Sequence, residues 1–511
     1  MDKDKLLGIT LIFIILIGWS LYTAKNRPKE IAQSDAIATI ATSQTQQGAQ
    51  SIAQQTQQPT PIAQSTDDNA KETIIETPAY KAVFSSKGGS ILSWQLKEKN
   101  GSMVEMLPSK IPALSTFPDS NFFILEQSEN KIVYATALTN GTQITKTYNL
   151  TQDYLHKLTI SVKSPLGVQT SISMPFGPGL GTIASEEKEN AGLMRPIALT
   201  ANKPKELHKL KTQSYTAGDY KWLAIDNRYF LFAVIPSSPS AFTSIASYNA
   251  GKKTPPELTL NATAEPTFET SLDFYIGPKG YKHLKSLGVG LEESIDLGIF
   301  GFLGKWALVA LIFLYSITHN YGWAIVLLTL FLQILVFPLT LKSLRASTAM
   351  RKIQPLIKEL QTKYKNDPKR LNVEMMNIYK TQKVNPLGGC LPMLLQIPIF
   401  WALFTTLRNA YELHGAGWMF WIHDLSLKDP YFVLPILMGI GTLIQQKIMS
   451  PSADPSQAMM VYLMPVIFTI MFLNFPSGLV LYWFTNNLLT VIEQLVLMKI
   501  DASKEKCSLT I

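Results

Sequence analysis

Residues 342–388 read KSLRASTAMRKIQPLIKELQTKYKNDPKRLNVEMMNIYKTQKVNPLG and separate the first two of the apolar segments that fill the C-terminal third of the chain. This stretch contains eleven Lys and Arg residues and three acidic residues. Short cationic loops between membrane spans are retained on the cytoplasmic side of the membrane. The stretch therefore predicts a polytopic helical membrane protein and places its own residues in the cytoplasm.

The composition agrees with a membrane protein that also has a soluble part. The chain has 511 residues, and its apolar fraction of 46% is concentrated in blocks. The net charge of +9 would suit nucleic acid or an anionic membrane, and because most of it lies beside a span we favour membrane lipid, with no specific nucleic acid. Cys390 and Cys507 have no partner at metal-ligand or disulfide spacing. We expect no metal and no cofactor.

The N-terminal region contains one apolar run followed by a polar segment. Residues 6–22 are just long enough to span a membrane and could be a signal peptide or an uncleaved anchor. Tyr22 spoils the pattern of small residues that signal peptidase requires, which favours the anchor. The following residues, 30–75, are rich in Gln, Ala, Thr and Ser and have no aromatic side chains, which predicts a flexible tether.

From about residue 77 the sequence alternates apolar and polar side chains in short runs, which predicts an antiparallel β-domain up to residue 280. Asp226 and Asp273 lie in strand-like runs, but no paired acid, nucleophile or His cluster accompanies them. His156, His208 and His283 are isolated. We therefore expect structural roles for these side chains, no catalytic residue, and a binding or spacing module.

The spacing of apolar residues predicts an amphipathic helix over 281–298 that leads into an apolar segment at 299–317. If this segment and 321–341 both crossed the membrane, the β-domain would be cytoplasmic; if 299–317 lies in the interface, the β-domain is outside. Interfacial anchoring residues such as Trp306 favour the second alternative. Further segments near spanning length follow at 390–407, 431–448, 459–473 and 479–498.

Polar residues inside these apolar segments indicate where the helices have a function, because lipid offers them no partners. Thr329 and Gln333 are four residues apart and share one face of their helix, and Gln396 comes from another helix. Such residues either join helices by hydrogen bonds or line a water-accessible cavity. Composition does not separate these alternatives.

Four collinear motifs resemble the YidC family of bacterial membrane-protein insertases. They are EMMNIYKTQKVNPLGGCLPMLLQIPIFWALF at 374–404, WIHDLSLKDPYFVLPILMG at 421–439, MPVIF at 464–468 and FPSGLVLYW at 475–483. The resemblance implies a polytopic α-helical membrane protein with six transmembrane helices, five of which form the insertase core, and an all-β supersandwich in the periplasm. The implied layout is a transmembrane anchor at 1–23, a tether at 24–76, the β-domain at 77–280, an interfacial helical region at 281–320, the core at 321–499 with a cytoplasmic hairpin at 342–388, and a tail at 500–511.

The resemblance also implies how the chain works. Five spans would enclose a hydrophilic groove for client proteins, lined by Thr329, Gln333, Gln396, Phe472, Tyr482 and Trp483. Clients would first be captured by basic residues of the hairpin, namely Lys352, Lys358, Lys363, Lys369, Arg370 and Lys380. The implied location is the bacterial inner membrane, with both termini cytoplasmic and residues 24–320 periplasmic. Nascent membrane proteins would be the clients, and the Sec translocon, the ribosome and the signal recognition particle pathway would be further partners.

Two departures from the family pattern bear on these expectations. The family usually places an arginine in the groove, where this chain has Gln333, so attraction of acidic client segments by a fixed cation does not carry over. The tail after Lys499 is short and weakly basic, which weakens ribosome docking through that end.

Two other classes of protein remain as alternatives. A secondary transporter would require internal repeats, and none is visible in the sequence. A membrane-tethered carbohydrate-binding protein would place its function in residues 77–280.

Overall fold

The computed structural model describes residues 70–99, 101–109, 111–183, 193–200, 203–206, 212–215, 220–238, 242–249, 254–365, 367–382, 391–449 and 455–508. The predicted anchor, most of the predicted tether and His208 lie outside these residues. Residues 59–452 and 462–511 form one compact unit, to which the description below refers. Of the second unit, 1–58 with 453–461, the described part is 455–461, where a helix begins.

The N-terminal half of the described chain is built from antiparallel strands, as the alternating sequence predicts. Their bounds are β1 Glu72–Glu76, β2 Tyr80–Ser85, β3 Ser90–Lys97, β4 Met103–Glu105, β5 Phe123–Gln127, β6 Lys131–Ala137, β7 Gln143–Asn149, β8 Leu155–Lys163, β9 Thr170–Phe176, β10 Arg195–Thr200, β11 Lys203–Glu206, β12 Thr212–Tyr215, β13 Trp222–Asp226, β14 Phe230–Pro236, β15 Thr243–Asn249, β16 Thr254–Ala264 and β17 Thr267–Pro278.

These strands form three sheets in the described residues. A nine-stranded sheet has the order β11-β10-β13-β14-β17-β8-β7-β6-β5, and two four-stranded sheets have the orders β1-β2-β3-β4 and β12-β15-β16-β9. The alternation on β8 shows why they pack: Leu158, Ile160 and Val162 are buried, whereas Lys157 and Lys163 on the opposite face are exposed. One hydrophobic cluster from all three sheets forms the core of the β-domain.

The sequence run 222–236 is a hairpin of two strands. β13 and β14 are antiparallel, with Leu223 opposite Val234. Asn227 forms the turn, since its Oδ1 accepts hydrogen bonds from the amides of Tyr229 and Phe230 at 3.1 and 2.9 Å. An Asn side chain that bonds the following amides stabilises a turn in this way.

Two sequence-based boundaries differ from the structure. Strand β1 lies inside the predicted tether, where Thr73, Ile74 and Ile75 supply the β-branched side chains that favour a strand beside β2. The single helix predicted over 281–298 is wrong: the structure has a short helix and a separate 3₁₀-helix. Gly288 and Gly290 lie between them with φ of 71° and 81°, a left-handed conformation that ends a helix.

The C-terminal half is helical, and its helices occur where the apolar segments predict them. Their bounds are α1 Tyr281–Ser286, a 3₁₀-helix at Leu291–Ser294, α2 Gly301–Thr318, α3 Tyr321–Lys363, α4 Pro368–Thr381, α5 Leu391–Asn409, a 3₁₀-helix at Tyr411–Leu413, α6 Val433–Met449, α7 Pro455–Phe472 and α8 Ser477–Ser508. Helix α3 continues from the first apolar segment of the core into the basic stretch without a break.

Polar contacts join the β-domain and the start of α1 to the end of α5 and the loop that follows it. Arg228 Nε donates to the carbonyl of Arg408 at 2.8 Å, and the amide of Tyr281 donates to Glu412 Oε1 at 2.7 Å. His414 Nε2 lies 3.1 Å from Glu98 Oε2. A second hydrophobic cluster contains residues of both the nine-stranded sheet and the helices, so the two halves share buried apolar surface.

Candidate functional site

The carboxylates of the β-domain that sequence reasoning considered have structural partners. Asp226 is fully buried, with Arg195 Nε at 3.0 Å from its Oδ1 and Lys279 Nζ at 2.6 Å from its Oδ2. Asp273 lies 3.8 Å from Lys157 Nζ. The described residues include no group of three His, Cys, Asp or Glu side chains that could hold a metal ion. The structural interpretation of these acids therefore agrees with their surroundings.

His156, the one histidine in the described part of the β-domain, is also packed as a core residue. His156 is buried among Tyr80, Trp94 and Phe274, and its Nδ1 accepts a hydrogen bond from the amide of Thr151 at 3.1 Å. Burial lowers the pKa of His156 to about 3, so the ring stays neutral in the folded protein.

The polar residues of the helical half meet on helix α8. Gln333 of α3 donates from Nε2 to Glu493 Oε2 at 2.9 Å and lies 3.4 Å from Thr490 Oγ1. Gln396 of α5 donates from Nε2 to the hydroxyl of Tyr482 at 3.0 Å. The apolar segments of these three helices thus have two sites of polar contact, one between α3 and α8 and one between α5 and α8.

These two contacts lie along one face of α8. Tyr482 and Glu493 are eleven residues apart, which brings them to nearly the same angular position on a helix and separates them by about 16 Å along its axis. Gln333 and Gln396 do not contact each other, but each marks one end of this shared face.

An aromatic cluster adjoins the Gln396 end. The ring of Trp483 lies 5.3 Å from that of Phe472, 5.0 Å from Phe400 and 6.0 Å from Phe468. Phe472 and Tyr482 are buried, and Trp483 is partly exposed. Of the predicted residues, Tyr482 contacts Gln396 directly, whereas Phe472 and Trp483 belong to the aromatic cluster around Phe400, one helical turn from Gln396 on α5.

Thr329 is placed differently from the other predicted groove residues. It is buried, and its hydroxyl donates to the carbonyl of Ile325 in its own helix at 2.7 Å. Threonine commonly makes this bond to the preceding turn. Its proton is therefore used within α3, and only the lone pairs of its oxygen remain for another group.

Two residues of this site are missing from the groove residues that were predicted from the sequence. These residues are Glu493 and Thr490, both of which contact Gln333. The available signal was that Glu493 is the single acidic residue in the apolar segment 479–498, since an ionisable group in such a segment needs a partner.

The basic stretch forms two helices joined by a short turn, which fits the hairpin that the resemblance implies for 342–388. Asp367 precedes α4, and its Oδ1 accepts a hydrogen bond from the amide of Arg370 at 3.1 Å, while Pro368 occupies the first helical position. All six predicted capture residues are exposed: Lys352, Lys358, Lys363, Lys369, Arg370 and Lys380. Leu356, Val373 and Met376 are also exposed, so this surface is both cationic and apolar.

Several helices have the length and composition of membrane segments. Among the described residues, Gly301–Thr318 and Tyr321–Leu341 are long and apolar enough to cross a membrane, and Val433–Ile448 and Tyr462–Phe472 are shorter apolar helices. These helices have large apolar side chains on their outer surface, such as Phe302, Ile334 and Ile470.

Comparison with known proteins matches both halves of the chain. The family described as "60Kd inner membrane protein" matches residues 313–505, and the "YidC periplasmic domain" matches residues 116–309. A membrane protein insertase YidC from Endomicrobium trichonymphae is 51% identical over 445 residues, which cover 84% of this chain and 85% of that protein. A membrane protein insertase YidC from Geobacter metallireducens is 35% identical over 545 residues, covering 99% and 100%.

A crystal structure of an active YidC insertase with its first transmembrane domain resolved covers 85% of this chain and 94% of that chain. Its identity of 17% and TM-score of 0.39 are too low to support an argument. The full-length sequence relatives confirm the resemblance inferred from the motifs, and the β-domain is the periplasmic domain of that family. The chain therefore belongs to the YidC family of bacterial inner-membrane protein insertases.

Proposed function

We propose that this chain receives newly made membrane proteins on the hairpin formed by the end of α3 and α4, and passes them into lipid along the polar face shared by α3, α5 and α8. The observation that carries this proposal is the pair of polar contacts, Gln333 with Glu493 and Gln396 with Tyr482, on one face of α8. Polar side chains are expensive in lipid unless they serve a wet or functional surface.

Such a face lowers the cost of moving a polar segment across the membrane. The hydrocarbon core is about 30 Å thick, and carrying an unpaired amide through it costs several kcal/mol. A hydrated face that extends partway through the membrane shortens the distance that the polar segment must cross in hydrocarbon. It also offers hydrogen bonds to that segment during the crossing. The apolar part of the client then leaves for lipid, where burial of about 0.8 kcal/mol per methylene group drives the step.

Gln494 supports a hydrated interior. It lies on α8 beside Glu493 and is buried, and neither polar atom of its side-chain amide has a hydrogen-bond partner among the described residues. Buried polar groups are almost always hydrogen-bonded to protein or water. Gln494 lies about 100° around α8 from Glu493. Water or a polar client group that reaches this second face of the helix would supply those partners.

Contacts at both ends of α2 support an interfacial position for this helix. Near its beginning, Thr406 Oγ1 of α5 donates to the carbonyl of Gly304 at 3.2 Å; just after its end, Asn320 Nδ2 donates to the carbonyl of Trp418, in the loop after α5, at 3.1 Å. Both contacts involve residues near the C-terminal end of α5. A helix of 18 residues is about 27 Å long, so a crossing helix would have its ends on opposite sides.

With α2 in the interface, the remaining layout follows. The β-domain and residues 24–320 would be periplasmic, and the domain would be a supersandwich. The hairpin and both termini would be cytoplasmic, and six helices would span the membrane, five of them in the core. The Sec translocon, the signal recognition particle pathway and the ribosome would be partners that deliver or share clients, while the short tail contributes little to ribosome docking.

Two deletions test this assignment in cells depleted of their own insertase. Removal of 77–280, with the helices retained, should leave insertion largely intact, since the polar face contains no residue of the β-domain. Removal of 355–380 should impair insertion while the membrane level stays normal, because these residues project from the helical core. If growth depended on 77–280 and tolerated loss of 355–380, function would lie in the β-domain and the proposal would be wrong.

A further inference from the structure

A cleft of about 380 Å³ lies between strand β10, the 3₁₀-helix at Leu291–Ser294 and the start of α2. This volume is within the range of about 300–1,000 Å³ that is typical of small-molecule sites. Its charged lining residues are two cations, Arg195 and Lys305, and two anions, Glu293 and Asp296. The cleft is therefore strongly charged but formally neutral.

The charged groups are arranged as pairs across the cleft. Lys305 Nζ lies 2.8 Å from Glu293 Oε1, and both side chains are more than a third exposed. Arg195 Nη1 lies 3.3 Å from Asp296 Oδ2, while its Nε contacts Asp226 in the interior. Exposed ion pairs of this kind are weak, so a ligand that offers each partner an equivalent charge can separate them at little cost.

Ser294 gives an independent indication of a ligand. Ser294 is one of the residues that line the cleft, it is 2% exposed, and its hydroxyl has no hydrogen-bond partner among the described residues. Leaving a buried hydroxyl unpaired costs about 1–3 kcal/mol in proteins. A polar group in the cleft would supply the partner.

The start of α2 adds a binding element and an apolar rim. Gly301 and Phe302, the first residues of this 18-residue helix, line the cleft, and the capping position Phe300 has no side chain that accepts a hydrogen bond. The amide of Gly301 already donates to the carbonyl of Gly298 at 3.1 Å. The following first-turn amides have no intrahelical acceptor, and the helix dipole favours a phosphate there. Phe302 and Ile299 are 85% and 79% exposed, so apolar surface borders the polar cleft.

We propose that this cleft binds the headgroup of a zwitterionic phospholipid that carries a primary ammonium, as phosphatidylethanolamine does. The phosphate would lie between Lys305, the Ser294 hydroxyl and the start of α2, and the ammonium would donate to Glu293 and Asp296. The acyl chains would pass over Phe302. An anionic headgroup bound to Lys305 would leave Glu293 uncompensated beside a phosphate, whereas a zwitterion supplies a charge for each member of the Lys305–Glu293 pair.

This inference rests on the interfacial position proposed for α2, and it is independent of how the polar face of α8 handles clients. Bound lipid would hold the β-domain against the membrane surface at the beginning of α2. Loss of the lipid site should therefore change lipid retention without abolishing insertion, and a defect in insertion alone says nothing against the lipid site.

The test is native mass spectrometry of the purified full chain in detergent, with dioleoyl lipids added. The unaltered protein should retain phosphatidylethanolamine roughly three- to tenfold better than phosphatidylcholine, whose quaternary ammonium cannot donate hydrogen bonds. Glu293→Gln should reduce this preference and improve retention of anionic phosphatidylglycerol. Lys305→Met should weaken retention of both phosphatidylethanolamine and phosphatidylglycerol. Lys282→Met, an exposed lysine of α1 that does not line the cleft, is the matched control.

Two results would overturn the proposal. One is retention that stays the same in Glu293→Gln and Lys305→Met as in the control, at equal folded yield. The other is binding of glycerophosphoethanolamine, which has the headgroup without acyl chains, as strongly as phosphatidylethanolamine. The occupant would then be a soluble phosphate ester and not a membrane lipid.

Discussion

Gln333 and Glu493 are joined by a hydrogen bond of 2.9 Å that connects helix α3 to helix α8. The usual family arginine at the position of Gln333 would have formed an ion pair with the same carboxylate. In this chain a neutral donor, Gln333, stands where the resemblance implies a cation, and the carboxyl group of Glu493 is its partner. The polar face here would therefore act by hydration and hydrogen bonding and would lack the basic group that the family pattern has.

Substitutions at Gln333 should separate a hydrated face from dry helix packing. Gln333→Leu removes a hydrogen bond to a charged group, which contributes about 1.5–3 kcal/mol, and should slow insertion by roughly tenfold. Gln333→Arg should be tolerated, because Glu493 offers it an ion pair. Gln333→Glu should be harmful, because it places a second carboxylate beside Glu493. The measurement is complementation of insertase-depleted cells, with membrane levels checked by immunoblot.

In a dry, packed bundle the order would reverse. Leucine would then be mild, and arginine would cost several kcal/mol through burial of a charge. Success of Gln333→Leu together with failure of Gln333→Arg, at equal membrane levels, would rule out the hydrated face.

A cysteine placed at Lys365 should resist a membrane-impermeant thiol reagent in intact cells. Residue 365 follows the end of α3 in the basic stretch and is exposed, so access depends only on the side of the membrane. A cysteine at Ser128, an exposed position of the β-domain, is the control that should react. Cys390 and Cys507 are first replaced by serine. Reaction at 365 in intact cells would refute the cytoplasmic position of the hairpin.

The stability of the β-domain should fall as the pH is lowered through the titration range of His156. The pKa of this residue is about 3 in the folded protein and about 6.5 in an unfolded chain. Between these values the unfolded state binds one more proton, so the free energy of unfolding decreases by about 1.4 kcal/mol for each pH unit. The contribution of neutral His156 to the stability of the folded domain is fully present above pH 6.5 and is lost progressively as the pH falls toward 3.

Urea unfolding of residues 70–280, which contain the strands of all three sheets, measures this dependence. His156→Phe keeps an aromatic ring beside Trp94 and removes the titrating group. The variant is expected to be less stable at neutral pH, because the Thr151 amide loses its acceptor, but to show a shallower slope between about pH 4.5 and 6. Equal slopes for the two proteins would contradict the prediction.

Local sequence patterns predicted much of the fold because they depend on nearby residues. The alternation in β8, the apolar helices and the turn around Asp367 all follow from side-chain periodicity or capping chemistry within a few positions. The boundary errors were also local. Strand β1 lies at the end of a polar segment whose composition is typical of a tether, and Gly288 and Gly290 interrupt a pattern of apolar residues at helical spacing.

The partners of the polar side chains could not be predicted in the same way. Gln333 and Glu493 are 160 positions apart, and Arg195, Asp226 and Lys279 meet only because β10, β13 and the end of β17 come together in one sheet. Sequence pattern indicated that Gln333 and Gln396 lie in apolar helices. Their common use of one face of α8 depends on how the helices pack, which no local pattern encodes.

Site-specific crosslinking from the polar face tests the proposed function most directly. A photoreactive amino acid would be placed at Gln333 or Gln396 and, as matched controls, at the adjacent exposed residues Ile334 and Ile397, which point in other directions on the same helices. During synthesis of a membrane protein, positions 333 and 396 should crosslink to the nascent chain far more strongly than 334 and 397. Absence of crosslinks from 333 and 396, or equal crosslinking from the control positions, would contradict a client path along this face.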